Sequence, residues 1–325
     1  MFLIMAYDIR IGDWRLKALD SVNIKRSIDM LSDTATIYLP GTYCNKALQV
    51  EDKIHVGDSV QIRLGYGNDL QTEFEGYVDS IGTDDSRIAI RCIDGLYNFK
   101  RTQLANKQYA NIPVAGLLAE MVKQVNDAEG TSYNFSCDYD TTYDKYTILN
   151  ATGYDVLKTL QDELKANIYF EGNTLHLHPP YEQVKGDEAV RFDFAHNIEQ
   201  SELKYIKAAD RKIEVEVKYR ETSTGKEKTE KYGTNGGEKV IVTSPSGERA
   251  DALVFAKKQY SLWVFDGYDG NFTGWLIPYV EPTNKVSLHD GQYPEKDGTY
   301  YVLGTEVNYS QNGGSRKISL GRRLE

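Results

Sequence analysis

The sequence predicts a β-rich α+β protein, with two related antiparallel β-barrels and a small α+β insert between them. Three observations predict it. Over the first hundred residues, short runs alternate apolar and polar side chains between turn formers. The apolar period changes to helical after residue 110. From about residue 190 the β pattern returns, in an order that echoes the first. The expected division is a β domain over 1–100, an insert of two helices and a hairpin over 101–185, and a second β domain with one helix over 186–325. A chain of 325 residues is also too long for one domain at roughly 150 residues each.

The elements follow in order. Met1 to Asp8 is briefly apolar without a basic start, so it reads as a strand rather than a signal peptide. Val22, Ile24 and Ile28 alternate with polar neighbours, and Thr34 to Leu39 runs into the breaker pair Pro40-Gly41. Ser59 to Leu64 alternates strictly, and Phe74 to Val78 and Arg87 to Ile93 flank the turn Gly82-Thr83-Asp84-Asp85. After Pro113, Val114, Leu117, Leu118, Met121, Val122 and Val125 fall at helical spacing up to Gly130. Thr152 with Asp155 three residues on opens a second helix carrying Val156, Leu157, Leu160 and Leu164. Asn167 to Phe170, the Gly172-Asn173 turn and Thr174 to His178 make a hairpin stopped by Pro179-Pro180. Lys212 to Tyr219 alternates again, and Glu221 to Lys231 reads as a solvated hairpin tip of mixed charge. One more helix is expected after Ser246, with Ala252, Leu253, Ala256, Tyr260 and Trp263 as its stripe. Strands then run from Lys285 to Leu288 and from Lys317 to Leu320.

The echo pairs three strands with three. Asp58 to Ile62, Gly76 to Ile81 and Arg87 to Ile90 match Asn284 to Leu288, Gly298 to Val302 and Arg316 to Leu320. Each set runs as a Val-centred strand, a Gly-led Tyr-Val strand and an Arg-led strand.

Composition excludes several function classes. With 38 basic against 48 acidic side chains the net charge is −10, so wrapping nucleic acid is not expected. Three cysteines (Cys44, Cys92, Cys137), far apart and without C-x-x-C, exclude a disulfide framework and a zinc ribbon and suit a reducing cytosol. No apolar run reaches the roughly 18 residues of a membrane span, so a soluble, cytoplasmically made protein is expected. The 24 tyrosines suit half-buried strand faces and interfaces.

Catalytic grammar is missing. There is no G-x-S-x-G, phosphate loop or H-E-x-x-H, and Gly65-Tyr66-Gly67 has Leu70 where a dinucleotide pattern needs its third glycine. His176 and His178 share a strand face but lack further ligands, while His55, His196 and His289 are dispersed. Asp138, Asp140 and Asp144 imitate a calcium loop, but Tyr143 and Leu149 occupy its glycine and closing glutamate positions. Tyr133, Phe135, Tyr139, Tyr143 and Tyr146 form an aromatic stretch that could stack on sugars or serve as strand aromatics. Arg316, Lys317, Arg322 and Arg323 make a basic C-terminal end, either for solubility or for docking an acidic partner. The expectation is no enzyme, no catalytic residue, no cofactor and no metal.

The order of these pieces resembles the baseplate hub proteins of contractile phage tails, the late control D family, over most of the chain. The resemblance rests on Ser32-Asp33-Thr34-Ala35-Thr36-Ile37-Tyr38-Leu39-Pro40 and on Val56-Gly57-Asp58-Ser59-Val60-Gln61-Ile62-Arg63-Leu64-Gly65-Tyr66. It continues through Phe74-Glu75-Gly76-Tyr77-Val78, Cys92-Ile93-Asp94-Gly95-Leu96, Thr152 to Leu157 and Ala166 to Phe170. Asp297 to Val302 and Asn312 to Leu320 complete it. The resemblance implies two tube-like barrels per chain and a homotrimer whose pseudo-sixfold ring joins a sixfold tail tube to a threefold spike. Its implied partners are further copies of itself, the tail tube protein and a central spike or tail lysozyme, expected as separate proteins because this sequence stops at Glu325. It also implies assembly in the bacterial cytoplasm and residence in the virion tail baseplate, with no membrane and no specific nucleic-acid binding. The expected subunit contacts are barrel edge strands at 59–65 and 73–81 and their echo at 285–289 and 299–309. A carbohydrate-binding or peptidoglycan-acting tail module is the alternative.

Overall fold

Alternating apolar residues in the first hundred positions form strands because each strand buries one face. In the computed structural model, residues 4–324 are described apart from 41, 44–45, 48–49, 51–52, 85–86, 140 and 245. Met1 to Leu3, Gly41, Cys44, Asp85, Asp140 and Glu325, which the sequence reading used, lie outside the described residues. Strands take 52% of the chain and helices 18%, so the β-rich expectation holds, in several largely antiparallel sheets. No closed barrel is present among the described residues.

The chain divides into two compact units, and both are discontinuous. The first unit comprises 1–97, 185–203 and 270–325; the second comprises 98–184 and 204–269. The sequence reading drew three contiguous segments instead. Helical spacing after Pro113 marks the first excursion, whereas the second, 204–269, opens and closes among strands that keep their own alternation and so leaves no break in the local pattern.

The first unit opens with β1 (Met5–Ile11), β2 (Trp14–Arg15), β3 (Ser21–Ser27) and β4 (Thr34–Pro40). Two short strands, β5 (Thr42–Tyr43) and β6 (Lys46–Ala47), precede β7 (Ser59–Tyr66), β8 (Asp69–Asp84) and β9 (Arg87–Ile93). The pairing is antiparallel throughout this meander, and β3, β4, β9, β8, β7, β1 is the order across the sheet. Ile9, Ile24, Ile37, Ile62 and Ile90 are fully buried on one face and supply its core. Each such side chain contributes roughly 1.5–3 kcal/mol.

Next come α1 (Leu96–Arg101), β10 (Lys107–Pro113), α2 (Val114–Glu129), β11 (Asn134–Cys137), β12 (Thr142–Ile148), α3 (Gly153–Leu164), β13 (Asn167–Glu171) and β14 (Thr174–His178). Helix α2 buries the six apolar residues its spacing nominates and ends at Gly130 with φ 66°. Thr152 and Asp155 form a reciprocal capping box on α3. Strands β13 and β14 form the expected hairpin, and β11 adds to it in parallel.

The chain then returns to the first unit for β15 (Lys185–Asp193) and begins β16 (Gln200–Ile206). Before the sheet resumes, β17 (Ile213–Arg220), β18 (Glu227–Gly233), β19 (Glu238–Thr243) and α4 (Arg249–Trp263) build part of the second unit. Val215, Val217 and Tyr219 pack there with Ala252 and Ala256 of α4. The mixed charges of this hairpin pair across strands: Lys231 and Lys239 lie 2.6 and 2.8 Å from Glu216 and draw its carboxyl down to about 2. Finally β20 (Gly267–Trp275), β21 (Asn284–His289), β22 (Gly298–Ser310) and β23 (Gly313–Arg323) complete the first unit's sheet, which joins thirteen strands.

The two halves of this sheet repeat each other. Neighbours β16, β20, β23, β22, β21, β15 take the same order as β3, β4, β9, β8, β7, β1, and the matched strands also occur in the same order along the chain. Registers agree: Ser59 faces Tyr77, and Lys285 faces Tyr301. A bulge after Val78 in β8 has its counterpart after Val302 in β22. One orientation differs, since β1 is antiparallel to β7 whereas β15 is parallel to β21. The structural register aligns Ile90 with Ile318 and Cys92 with Leu320, one residue away from the echo that matched Arg87 to Arg316.

Candidate assembly surface

The halves meet where β22 pairs antiparallel with β3, from Gly304 opposite Ser27 to Ser310 opposite Ser21. Asn23 donates from Nδ2 to Glu306 at 3.1 Å and to Asn308 at 2.6 Å across this seam. Beside it lies a polar cluster built round two buried aspartates. Arg26 donates to Asp33 at 3.1 Å and to Glu281 at 3.3 Å, and Asp33 also accepts from the Ser27 amide at 3.0 Å. Asp94 accepts from the Asp33 amide at 2.7 Å, the Leu96 amide at 3.0 Å and the Ser32 hydroxyl at 3.1 Å. Two aspartates from separate sequence motifs, Ser32 to Pro40 and Cys92 to Leu96, therefore fasten one corner of the sheet.

Burial, and then the Asp33 carboxyl nearby, push Asp94 up to about 7. Burial also raises Asp33, against the pull of Arg26. A folded-state value above the unfolded one means that the native state holds the proton more tightly. This contribution is fully present below about pH 4 and is lost as pH rises towards 7. The expected result is a thermal midpoint that carries a falling component between pH 4 and 7, which Asp94→Ala reduces while the part due to Asp33 remains. Parallel profiles for the two proteins would remove Asp94 as its source.

Which backbone edges remain open decides where another strand can add. The ranges expected at the edge are mostly interior. Strand β7, covering 59–65, is bonded by β1 and β8; β21, covering 285–289, by β15 and β22. Strand β22, covering 299–309, is bonded by β23 on one side and by β21 then β3 on the other. Alternation reports which face a strand buries, and it is silent on which neighbours take its N–H and C=O groups. Within 73–81, β8 bonds β7 up to Tyr77, and Val78 exchanges bonds of 2.8 and 2.9 Å with Gly57 and Asp58. From Ser80 to Asp84 it pairs only with β9 among the described residues. Strand β16 terminates the sheet at the other end, with Gln200, Ser201 and Glu202 exposed.

The remaining sequence candidates lie apart from these edges. His176 Nδ1 and His178 Nε2 are 3.0 Å apart, and His178 Nδ1 is 2.8 Å from Asp138, in a cluster where burial lowers the His178 pKa. No group of three or more His, Cys, Asp or Glu that could hold a metal occurs among the described residues. Tyr133, Tyr139, Tyr143 and Tyr146 are buried; Tyr139 donates to the Leu164 carbonyl and Tyr143 to Glu163 at 2.6 Å. Phe135 alone of that stretch is exposed. Of the basic C-terminal residues, Arg316 is buried against Glu73 rather than presented to a partner, and Arg323 donates to the Asp297 carbonyl. Sequence reading missed that pair, because its members are 243 positions apart. Cys92 is buried, and its thiol is pushed up to about 12 by that burial. Among the described residues, no helix is long and apolar enough to cross a membrane.

No family model matches the chain, and neither does any curated protein. Solved structures do. A tail protein from Neisseria meningitidis MC58 superposes with TM-score 0.69 at 13% identity, covering 98% of this chain and 96% of its own. The 43 kDa tail protein of prophage MuSo2 from Shewanella oneidensis gives 0.66 at 14%, covering 97% of each. The E. coli c3393 protein is described as a type VI secretion component with structural similarity to the T4 tail proteins gp27 and gp5. It gives 0.63 at 9%, covering 98% of this chain and 77% of its own. This chain has the fold of phage tail proteins and of a type VI secretion component, with both halves of the repeated sheet inside the shared region.

Proposed function

We propose that the chain is the structural hub of a phage-tail baseplate or related contractile injection system, a homotrimer joining a sixfold tail tube to a threefold spike. The observation that carries this reading is the doubled six-strand order within one chain. Two equivalent β units per chain, in a closed ring of three chains, provide six equivalent positions facing a sixfold tube and still obey threefold symmetry towards a spike. On this reading each half-sheet is the wall of a tube-like barrel. One wall belongs to 1–97 and the other to 185–203 with 270–325. The fold shared with tail proteins supports a place in a tail, and the buried Arg316–Glu73 pair reads as structural rather than catalytic.

The partners are further copies of the chain, the tail tube protein and a central spike or tail lysozyme. The hub assembles in the bacterial cytoplasm, ends in the virion baseplate, and needs no cofactor. A net charge of −10 fits a ring that lets DNA pass without holding it. Native mass spectrometry across concentration tests the reading. The expected species is three times 36.8 kDa, about 110 kDa. A monomer that stays monomeric with the neighbouring spike protein added would overturn it.

The glycan-binding alternative is tested at a cleft that one of its aromatic residues lines. A cleft of about 520 Å³ in the second unit is lined by Tyr139, Asp144, Asp251, Lys258 and Gln259 among others. A glycan array decides it: binding that Lys258→Ala abolishes would favour this second reading, and an empty array would retire it.

A further inference from the structure

We infer that Ser80–Asp84 of β8 in one copy of the chain pairs antiparallel with β16 of a second copy. This deepens the hub reading and rests on it, because it names the surfaces through which the copies meet.

The argument is one of equivalence inside the chain. With Tyr77 matched to Tyr301, and the bulge after Val78 to the bulge after Val302, Ser80 matches Gly304 and the strand runs on in step. In the second half, the edge beginning at Gly304 is occupied: β3 lies along it from Gly304 to Ser310. In the first half, the matching edge from Ser80 to Asp84 has no strand along it among the described residues. The strand that would fill it by the same rule is the counterpart of β3. That counterpart is β16: it follows β15 as β3 follows β1, and it borders β20 as β3 borders β4.

Strand β16 has its own outer edge open. On its inner side the Glu199 amide donates to the Thr273 carbonyl at 2.8 Å, and a Cβ on Gly270 would stand 2.1 Å from the Glu202 carbonyl. The outer side is the end of the sheet, and Gln200 to Glu202 are exposed. One chain thus carries a filled seam together with an unfilled copy of each of its two sides. The occupant is a second copy of this chain, since only the repeat supplies both matching sides. The other terminal strands, β2 beyond β1 and β15 beyond β21, have no filled counterpart in the chain that says what would cover them. The contact is heterologous, β8 of one copy to β16 of the next, so it propagates and must close into a ring or continue as a filament.

Two double-cysteine chains test it, each on a Cys44→Ser, Cys137→Ser background. One carries Gly82→Cys with Glu202→Cys, and the other Thr83→Cys with Ser201→Cys, so that both faces of the strands are sampled. Hydrogen exchange on the unmodified chain, assembled and dilute, accompanies them. The expected result is reductant-sensitive linkage up to a covalent trimer in at least one pair. Peptides spanning 79–84 and 200–203 should also exchange roughly tenfold or more slowly in the assembly, while β15 is unchanged. A native trimer with neither linkage nor protection at these strands overturns the inference and leaves the hub reading standing. Linked ladders longer than three uphold the pairing and overturn the closed trimer. A chain that stays monomeric even with its spike protein overturns both.

Discussion

Replacing Arg316 with methionine while Glu73 remains is expected to lower the unfolding free energy by about 3–5 kcal/mol, as removal of one partner of a buried pair does. Both side chains are 1% exposed. The guanidinium holds the carboxylate with two bonds, Nη2 to Oε1 at 2.6 Å and Nη1 to Oε2 at 3.1 Å. It also donates to the carbonyls of Val280 at 3.0 Å and Leu276 at 3.3 Å. Two of those acceptors are backbone groups of the segment between β20 and β21, so the arginine fastens a stretch that has no ladder of its own. Its loss leaves a buried carboxylate and two carbonyls without that donor, and each such group carries a desolvation cost. The pair itself is a different quantity. The aligned position in the first half is Ile88, which shows that an apolar residue suits the equivalent site of the sheet. The double variant Glu73→Leu, Arg316→Met should therefore recover most of the loss, because the desolvation of both charges is removed with their attraction. Urea unfolding of the two single variants and the double one measures this. A single variant costing under about 1 kcal/mol would mean that water reaches Glu73 and the pair is not sealed.

Much of the fold was readable because it is written locally. Helical spacing located α2 and α3 with their buried faces; Thr152 with Asp155 marked a helix start; Gly172-Asn173 marked a hairpin. For α4 it found the helix but not the whole face, since Leu253 and Trp263 are exposed and Gln259 and Leu262 are buried with Ala252 and Ala256. The echo paired the correct strands, and it slipped by one residue in the last because Arg87 and Arg316 are alike in type but not in register. What stayed hidden depends on partners distant in sequence. The seam joins Asn23 to Glu306 across 283 positions, and the interruption between β16 and β20 sends 204–269 into the second unit. Open edges were equally hidden, since Ser59 to Leu64 alternates as an edge strand would and yet lies between two neighbours. Which edges stay open is thus a property of the pairing order and not of the alternation.

The same distinction separates two glycines of one strand. Gly76 and Gly82 both lie in β8, and neither has a positive φ, so propensity alone predicts that alanine stabilises each by up to about 1 kcal/mol. Their surroundings differ. A Cβ at Gly76 would stand 2.2 Å from the Ile93 carbonyl oxygen and 2.8 Å from the Phe74 ring. At Gly82 the nearest atom is the Arg91 guanidinium at 3.6 Å, an ordinary contact. Gly76 sits where β8 leaves β7 and takes up β9, so backbone must pass close to backbone there. Gly76→Ala is expected to cost about 1–3 kcal/mol by overpacking, and more if the Tyr77–Ile93 pairing opens. Gly82→Ala should be neutral or slightly stabilising in the monomer. Thermal midpoints of the two variants at low concentration give the comparison directly. Equal behaviour would mean that β8 can shift away from Ile93 without losing its register. The crossing would then be a loose contact, and the glycine of the Phe74-Glu75-Gly76-Tyr77-Val78 motif would need another explanation.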